Sequence, residues 1–274
     1  LAITSQGPLT MWELMAERCR SAKYYYAGLV SWYSVAFVGK SIAGQGALDP
    51  VRIEHFFRDC REGTLPELSV IDPDYHVNDL HPPHTMAMGE AFIGAIVRAI
   101  EESPQWKRTM LVITYDEGGG FYDHVPPPTT VDRDPEFRQL GFRVPAIIVG
   151  PMVRPGAVVS TPFEHVSILS TLRTRFGIES LGARMDAAAD LSSCVDPTRV
   201  GAYEEPRLRR MDPIVLTAAQ VNACCGWESS QPAMDRLLRS LPVPDSHRDP
   251  RGIDERMQSW LRPAQELEAV RVLR

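Results

Sequence analysis

Basic charge is scarce in this chain: 29 Lys and Arg stand against 35 Asp and Glu in 274 residues, a formal net charge of −6. That excludes a nucleic-acid binder built on a broad basic surface. Long apolar runs are also lacking. None approaches the ~18–20 residues that a bilayer-spanning helix needs, so no transmembrane segment is expected. Leu1 is followed by neither a basic stretch nor an apolar one, so no signal peptide is expected here. Cysteine is sparse at five residues (Cys19, Cys60, Cys194, Cys224 and Cys225), and their spacing matches no zinc module. Cys224 and Cys225 are neighbours, which suits a mutual disulfide poorly, and the set reads as buried or half-buried thiols. There is no dinucleotide fingerprint, no phosphate-binding Gly-Lys-Ser/Thr loop and no internal repeat. What is present is ordinary globular usage, with 44% apolar and 23% charged residues. A disordered chain would be poorer in apolar residues. The length fits one large α/β domain, or one domain with an appendage.

Helical and strand patterns alternate through the first half, and the pattern weakens after about Leu181. Thr10 with Glu13 forms a capping box opening a helix to about Ala22, and Lys23–Ala27 is a short aromatic strand. Residues 28–48, with little periodicity, read as a long loop. Asp49-Pro50 reads as an N-cap and first helical position. Ile53, Phe56, Phe57 and Cys60 then follow at helical spacing until Gly63. Leu68–Ile71 is a strand leading into the turn Asp72-Pro73-Asp74. Met86 to Ile100 carries an apolar helix face that Ser103-Pro104 stops. Thr109–Tyr115 is apolar on both faces, as a central parallel strand should be, with Val144–Val149 as its neighbour. Thr161-Pro162-Phe163-Glu164 signals a helix start, with Gly177 as its end. Residues 182–213 read as irregular, 217–225 and 234–241 as short helices, and 242–252 as a polar linker. Ile253–Leu273 reads as a helix whose balanced charges, Arg256 among them, form a solvated face. The fold class expected is α/β, a mostly parallel sheet flanked by helices on both faces, with a small irregular and helical C-terminal appendage. The expected division is a catalytic portion at 1–181 and a C-terminal region at 182–274 packing on it.

Chemistry concentrates in Thr109 to Pro128, TMLVITYDEGGGFYDHVPPP. Asp116 and Glu117 follow the strand at its carboxyl end, where open α/β sheets bind ligands. Two adjacent carboxylates repel unless something positive holds them, and a divalent cation with oxygen ligands is the simplest answer. Gly118–Gly120 lets the backbone wrap close to an ion or phosphate. His124 lies seven residues past Glu117. Asp79-Leu80-His81-Pro82-Pro83-His84 lies beyond another strand's carboxyl end, with two prolines restricting the loop around His81. His165, read in the first turn of the Thr161 helix, should tend to stay neutral there. His55, His76, His84 and His247 read as surface or core histidines, and Met86, Met88, Met110, Phe92 and Trp106 as core.

Tyr115–Pro128, His81–Pro83, Gly141–Gly156 (GFRVPAIIVGPMVRPG), Glu164–Gly177 (EHVSILSTLRTRFG) and Leu65–Asp74 (LPELSVIDPD) together resemble the bacterial phosphoesterases that include non-haemolytic phospholipases C and related acid phosphatases. The resemblance spans Gly7 to Asp190 and implies an alkaline-phosphatase-like fold. It implies that Asp116 and Glu117 ligate an active-site divalent metal (Ca, Mg, Mn or Zn), and that His81 and His165 surround the phosphate and leaving group. It implies that His124 is a further histidine of that site or of the residues just behind it. A metal would neutralise phosphate oxygens and the histidines would donate hydrogen bonds or a proton. The substrate implied is a phosphate ester, with phospholipid as one class. The implied location of the full-length protein is exported: periplasmic, secreted or at the cell surface.

The family's N-terminal acidic-Asn motif and its Ser or Thr nucleophile are not found, and Thr4 and Ser5 match no motif. An N-terminally truncated chain with part of the metal shell, and an open sheet edge or apolar surface, is therefore expected. Three readings compete. The first is a phospholipase C-like or acid-phosphatase hydrolase, with this isolated stretch weak or inactive. The second is a non-catalytic remnant or anion-binding module. The third, a sulfatase or phosphonate hydrolase, would need a processed Cys or Ser motif, whereas Cys19 and Cys60 sit in helix patterns.

Overall fold

The computed structural model describes residues 9–36, 50–82, 84–201, 207–209, 211–223, 236, 239–240 and 250–273. In chain order the elements are α1 (Met11–Glu17), β1 (Ala22–Tyr26), α2 (Trp32–Ala36), β2 (Val51–Arg52), α3 (Ile53–Glu62), β3 (Leu68–Asp72), α4 (Met86–Glu102), β4 (Leu111–Thr114), β5 (Ala146–Val149), α5 (Val166–Phe176), α6 (Ala183–Ala187), β6 (Ile214–Thr217), α7 (Ala218–Ala223), α8 (Pro250–Glu266) and β7 (Val270–Leu273). The protein is mixed α/β, with parallel strand pairing flanked by helices. Its residues form two compact units, one from Lys23–Gln105 with Arg207–Arg274, the other from Gln6–Ala22 with Trp106–Pro206. Among the described residues, no helix is long and apolar enough to cross a membrane.

In the first unit, β1 lies between β2 and β3, and β2 runs parallel to it with Tyr25 opposite Val51. The aromatic strand supplies core: Tyr25 is fully buried and meets Phe56 edge-on at 5.5 Å. Ile53, Phe56, Phe57 and Cys60 face inward on α3, and Gly63 closes it in the left-handed conformation. Burial pushes the Cys60 thiol up. The expected N-cap at Asp49 lies outside the described residues. The cap found is Arg52, because Val51 and Arg52 are drawn into strand pairing first. The loop expected over 28–48 contains the short helix α2 in its described part.

The C-terminal segment departs from expectation in two ways. The helix stops at Glu266, and Glu268 turns the backbone to a φ of 54°. Val270–Leu273 then forms a strand parallel to β6, Ile214 opposite Val270. Alternating β-branched residues satisfy their backbone groups better in that ladder than at a fraying helix end. The charged face is also not wholly solvated. The Arg256 side chain is 2% exposed, and its Nε donates to Asp74 Oδ2 at 2.8 Å. One turn on, fully buried Trp260 meets Phe92 of α4 edge-on at 5.5 Å.

Asp74 organises the turn after β3. Its carbonyl accepts the backbone N–H groups of Val77, Asn78 and Asp79, its Oδ1 accepts that of His76 at 3.0 Å, and its own N–H donates to Asn78 Oδ1 at 2.7 Å. Burial alone would raise its pKa, but hydrogen bonding from His76 and the charge of Arg256 more than reverse that and hold it at about 2.

In the second unit, the Thr10 backbone N–H donates to Glu13 Oε2 at 2.7 Å, as the capping box requires, although α1 ends at Glu17 rather than near Ala22. β4 and β5 pair as expected but antiparallel, Leu111 opposite Val149 and Thr114 opposite Ala146. The central parallel strand is thus corrected. Between Tyr115 and Pro145 no described α-helix provides the crossover that parallel neighbours need, and the chain returns in the opposite sense. Gly150 allows the close return, since a Cβ there would lie 2.6 Å from the Thr109 carbonyl oxygen. The helix expected from Thr161 begins at Val166, with His165 as its N-cap. Glu164, expected to cap, instead accepts Arg184 Nε at 2.6 Å, and Ser167 Oγ takes the Glu164 N–H at 3.1 Å. Gly177 ends α5 as expected. Cys194 is buried and Cys19 exposed. Residues 182–201 hold α6 and two 3-10 turns, while Cys224, Cys225, most of 234–241 and 242–249 lie outside the described residues.

The buried pair has measurable consequences. Arg256→Met, which strands a buried carboxylate, should cost about 3–5 kcal/mol in urea unfolding followed by Trp fluorescence, with Asp74→Asn in that background restoring part of it. Because the folded pKa of Asp74 lies below its ordinary 3.8, its stabilisation is complete above that value and lost as pH falls from there to about 2. The wild-type midpoint should drop across that window, and the Asp74→Asn midpoint should drop less.

Candidate active site

β4 delivers Tyr115, Asp116 and Glu117 to its carboxyl end, and the glycine run then turns the chain. Phe121 N–H donates to the Gly118 carbonyl at 3.0 Å, with Gly119 and Gly120 at φ of 61° and 76°. A side chain with a Cβ is strained at both positions. Asp116 and Glu117 are both exposed at this turn. His165 comes back to the same place, and its Nε2 donates to the Tyr115 carbonyl at 2.7 Å. The His165 ring is thereby held against the backbone that leads into Asp116 and Glu117. The turn before α5 is braced by Glu164, which accepts Arg184 Nε and, at 2.9 Å, Thr130 Oγ1; Arg184 Nη1 also reaches Asp132 Oδ2 at 3.2 Å.

His124 follows the same loop, but its side chain is 81% exposed and its Nδ1 stands 3.9 Å from Asp123 Oδ1. His81 belongs to the first unit, half-buried, with Nδ1 donating to the Pro82 carbonyl at 2.6 Å.

Sequence reasoning passed over Asp123 and Arg143. Arg143 Nε and Nη2 fork onto Asp123 at 2.8 and 2.7 Å, and the Val125 N–H donates to the same carboxylate at 3.0 Å. The Arg143 guanidinium holds the Asp123 carboxyl well below the usual carboxylate range. The fork ties the loop after the glycines to the segment before β5 and walls a cleft of about 400 Å³, lined also by Gly118, Phe121, Tyr122, Val144 and Pro145. The only signal in the sequence was that both residues lie in the motif segments YDEGGGFYDH and GFRVP. Nothing in spacing alone pairs residues twenty apart across a loop.

Asp116 and Glu117 offer the oxygen donors that hard divalent cations take. Among the described residues, no group of three or more His, Cys, Asp or Glu side chains is arranged to hold a metal ion.

Comparison with known proteins decides the family. The model of the phosphoesterase family matches residues 9–179, more than half of the chain. The chain belongs to the phosphoesterase family. It is 35% identical over 189 residues to non-specific phospholipase C3 of Arabidopsis thaliana, covering 57% of this chain and 36% of that protein. It is 39% identical over 150 residues to non-specific phospholipase C6 of the same plant, covering 46% and 29%. It is 32% identical over 173 residues to phospholipase C B of Mycobacterium tuberculosis, covering 56% and 33%. The chain spans about a third of the length of these curated relatives. The family match contains β4, the glycine turn, the Asp123–Arg143 fork and His165, as well as His81.

The fork should govern loop order. Arg143→Gln should speed amide hydrogen exchange at Tyr122 to Val125 while leaving β4 protected; unchanged exchange there would show that the glycine turn holds itself.

Proposed function

We propose that this phosphoesterase hydrolyses phosphate esters by metal-assisted phosphoryl transfer, with phospholipid diesters as its substrate class. The observation that carries the reading is the placement of Asp116 and Glu117 at the carboxyl end of β4, with His165 bonded to the adjoining Tyr115 carbonyl. The relatives' names support the diester class. Residues 1–181 are assigned to the catalytic portion and 182–274 to an appendage, an assignment supported by the family match ending at residue 179. An exported location is the one the family resemblance favours.

In this reading Asp116 and Glu117 hold a divalent ion (Ca, Mg, Mn or Zn) and keep it at the strand's end. The ion, when bound, neutralises phosphate oxygens and the charge that develops on them. The residues then have separate tasks. The bond from His165 Nε2 to a carbonyl fixes the ring and makes Nδ1 the nitrogen for proton exchange. For His81 the family resemblance supports a role at the phosphate; its Nδ1 donates to the Pro82 carbonyl. His124, exposed at the loop, is assigned to the incoming ester. Asp123 is excluded as a ligand because Arg143 and the Val125 N–H already occupy both of its oxygens.

Calorimetry with Mg, Mn, Ca and Zn should show divalent binding to the chain that Asp116→Asn with Glu117→Gln abolishes. Where turnover is present, bis-nitrophenyl phosphate should be cleaved in preference to nitrophenyl phosphate, and the double variant should lose both. Ion binding that survives the double substitution would overturn the assignment; preference for the monoester would move the substrate class to phosphomonoesters.

A further inference from the structure

The loop after the glycine turn presents aromatic side chains to water. Phe121 is 69% exposed, Tyr122 88% and Phe142 54%. All three belong to the second unit and stand at the cleft that the Asp123–Arg143 fork walls. Phe121 and Tyr122 line it. Phe142 lies against Gly118, another lining residue, where an added Cβ would fall 3.7 Å from the Phe142 Cβ. Exposed apolar residues are ordinary when scattered singly, but three large rings gathered at one mouth are not. Phe137 and Val158 are exposed as well, yet line no part of the cleft. The tip is also held in place. The Phe121 N–H on the Gly118 carbonyl and the left-handed Gly119 and Gly120 set its direction, and the fork from Arg143 to Asp123 ties its far side to the segment carrying Phe142. A tip already ordered spends little conformational entropy when its rings are covered.

Area and charge decide what can cover this rim. Three such rings offer roughly 300–500 Å² of surface, short of the ~800 Å² per partner that a stable protein interface takes. A lipid surface sets no such minimum, because each ring settles into it separately. The Arg143 guanidinium is matched by the Asp123 carboxylate, and the exposed Asp116 and Glu117 add negative charge two and one residues ahead of Gly118. That balance disfavours a strongly anionic surface and suits a zwitterionic one.

We propose that Phe121, Tyr122 and Phe142 seat this chain on a zwitterionic phospholipid surface, with the mouth of the cleft facing the lipid. The proposal rests on the phosphoesterase reading and adds the physical form of the substrate, phospholipid taken from an assembled surface. Phe and Tyr rings settle at the boundary between head groups and acyl chains, where the apolar body is buried and the Tyr hydroxyl stays wet. The phosphate ester of a phospholipid lies at that boundary. Rings seated there bring the end of β4, with Asp116 and Glu117, toward the layer that carries it.

Flotation of the full chain with phosphatidylcholine vesicles, with a chelator present to stop turnover, tests it. The wild-type chain should float with the vesicles, and Phe121→Ser with Tyr122→Ser should weaken that partitioning about tenfold or more. Val158→Ser, away from the cleft lining, should leave it unchanged. A Tyr122→Trp chain should show more fluorescence quenching by brominated phosphatidylcholine than the wild type does. A wild-type chain that stays off phosphatidylcholine would overturn the docking surface. So would partitioning that survives the rim substitutions, an equal loss in Val158→Ser, or binding confined to anionic phosphatidylglycerol vesicles. Sedimentation velocity without lipid covers the other occupant: a dimer that the rim substitutions dissolve would put a second copy of the chain on the rim and overturn the lipid surface. The chain with Asp116→Asn and Glu117→Gln should still float. Failed divalent binding therefore counts against the phosphoesterase reading, and failed flotation against the lipid docking.

Discussion

The buried ion pair between Asp74 and Arg256 is the constraint around which the first unit is arranged. Two charges removed from water repay their desolvation only when geometry and further hydrogen bonds are good. Asp74 meets that condition by serving both chemistry and backbone: its carboxylate takes Arg256 and the His76 N–H, and its carbonyl gathers three successive N–H groups. Arg256 comes from a helix 182 residues further along the chain. The pair therefore sets the register of α8 against the turn after β3. Trp260 and Met257, both buried on that helix, can pack only in the register the pair selects. A hydrophobic contact alone would tolerate sliding; a buried charge does not.

That turn leads straight into the segment with His81 and His84. Its rigidity has a simple chain of causes: Arg256 fixes Asp74, Asp74 fixes the backbone to Asp79, Leu80 seats on Gly89, and Asp79 meets His84. Side chains carried on loops keep a fixed position only with such support, and a displacement of about 1 Å is enough to matter at a reactive site. The second unit solves the same problem with different means. There the glycine turn bends the chain, the Asp123–Arg143 fork pins the far side of the loop, and His165 is hooked to the Tyr115 carbonyl. Acidic residues in one loop thus divide their work. Asp123 is engaged by Arg143 and the Val125 N–H, and Asp116 and Glu117 stand exposed at the strand's end.

Much of this was legible locally. The apolar spacing of Ile53 to Cys60 and of Met86 to Ile100, the stop at Ser103-Pro104, the left-handed glycines at 63 and 177, and the strand character of TMLVITY and VPAIIV all follow from residues within a turn or two of each other. The expectations that failed share a cause. Thr161 looked like a helix start, yet Glu164 found Arg184 and the helix waited until Val166. Val270–Leu273 looked helical, yet a parallel partner at Ile214 claimed it. Strand direction for β4 depended on the course of the thirty-one residues before β5, which no local pattern encodes.

By itself the sequence determined the family, the α/β class, most element cores and the residue types at the site, because caps, periodicity and motif text are short-range properties of the chain. Only the tertiary structure decided which charges are buried and with whom: Arg256 with Asp74, Arg143 with Asp123, His84 with Asp79. The physical reason is that a charge looks the same in sequence whether it faces water or a partner. Its energy is set by what surrounds it, and those surroundings are assembled from segments far apart along the chain.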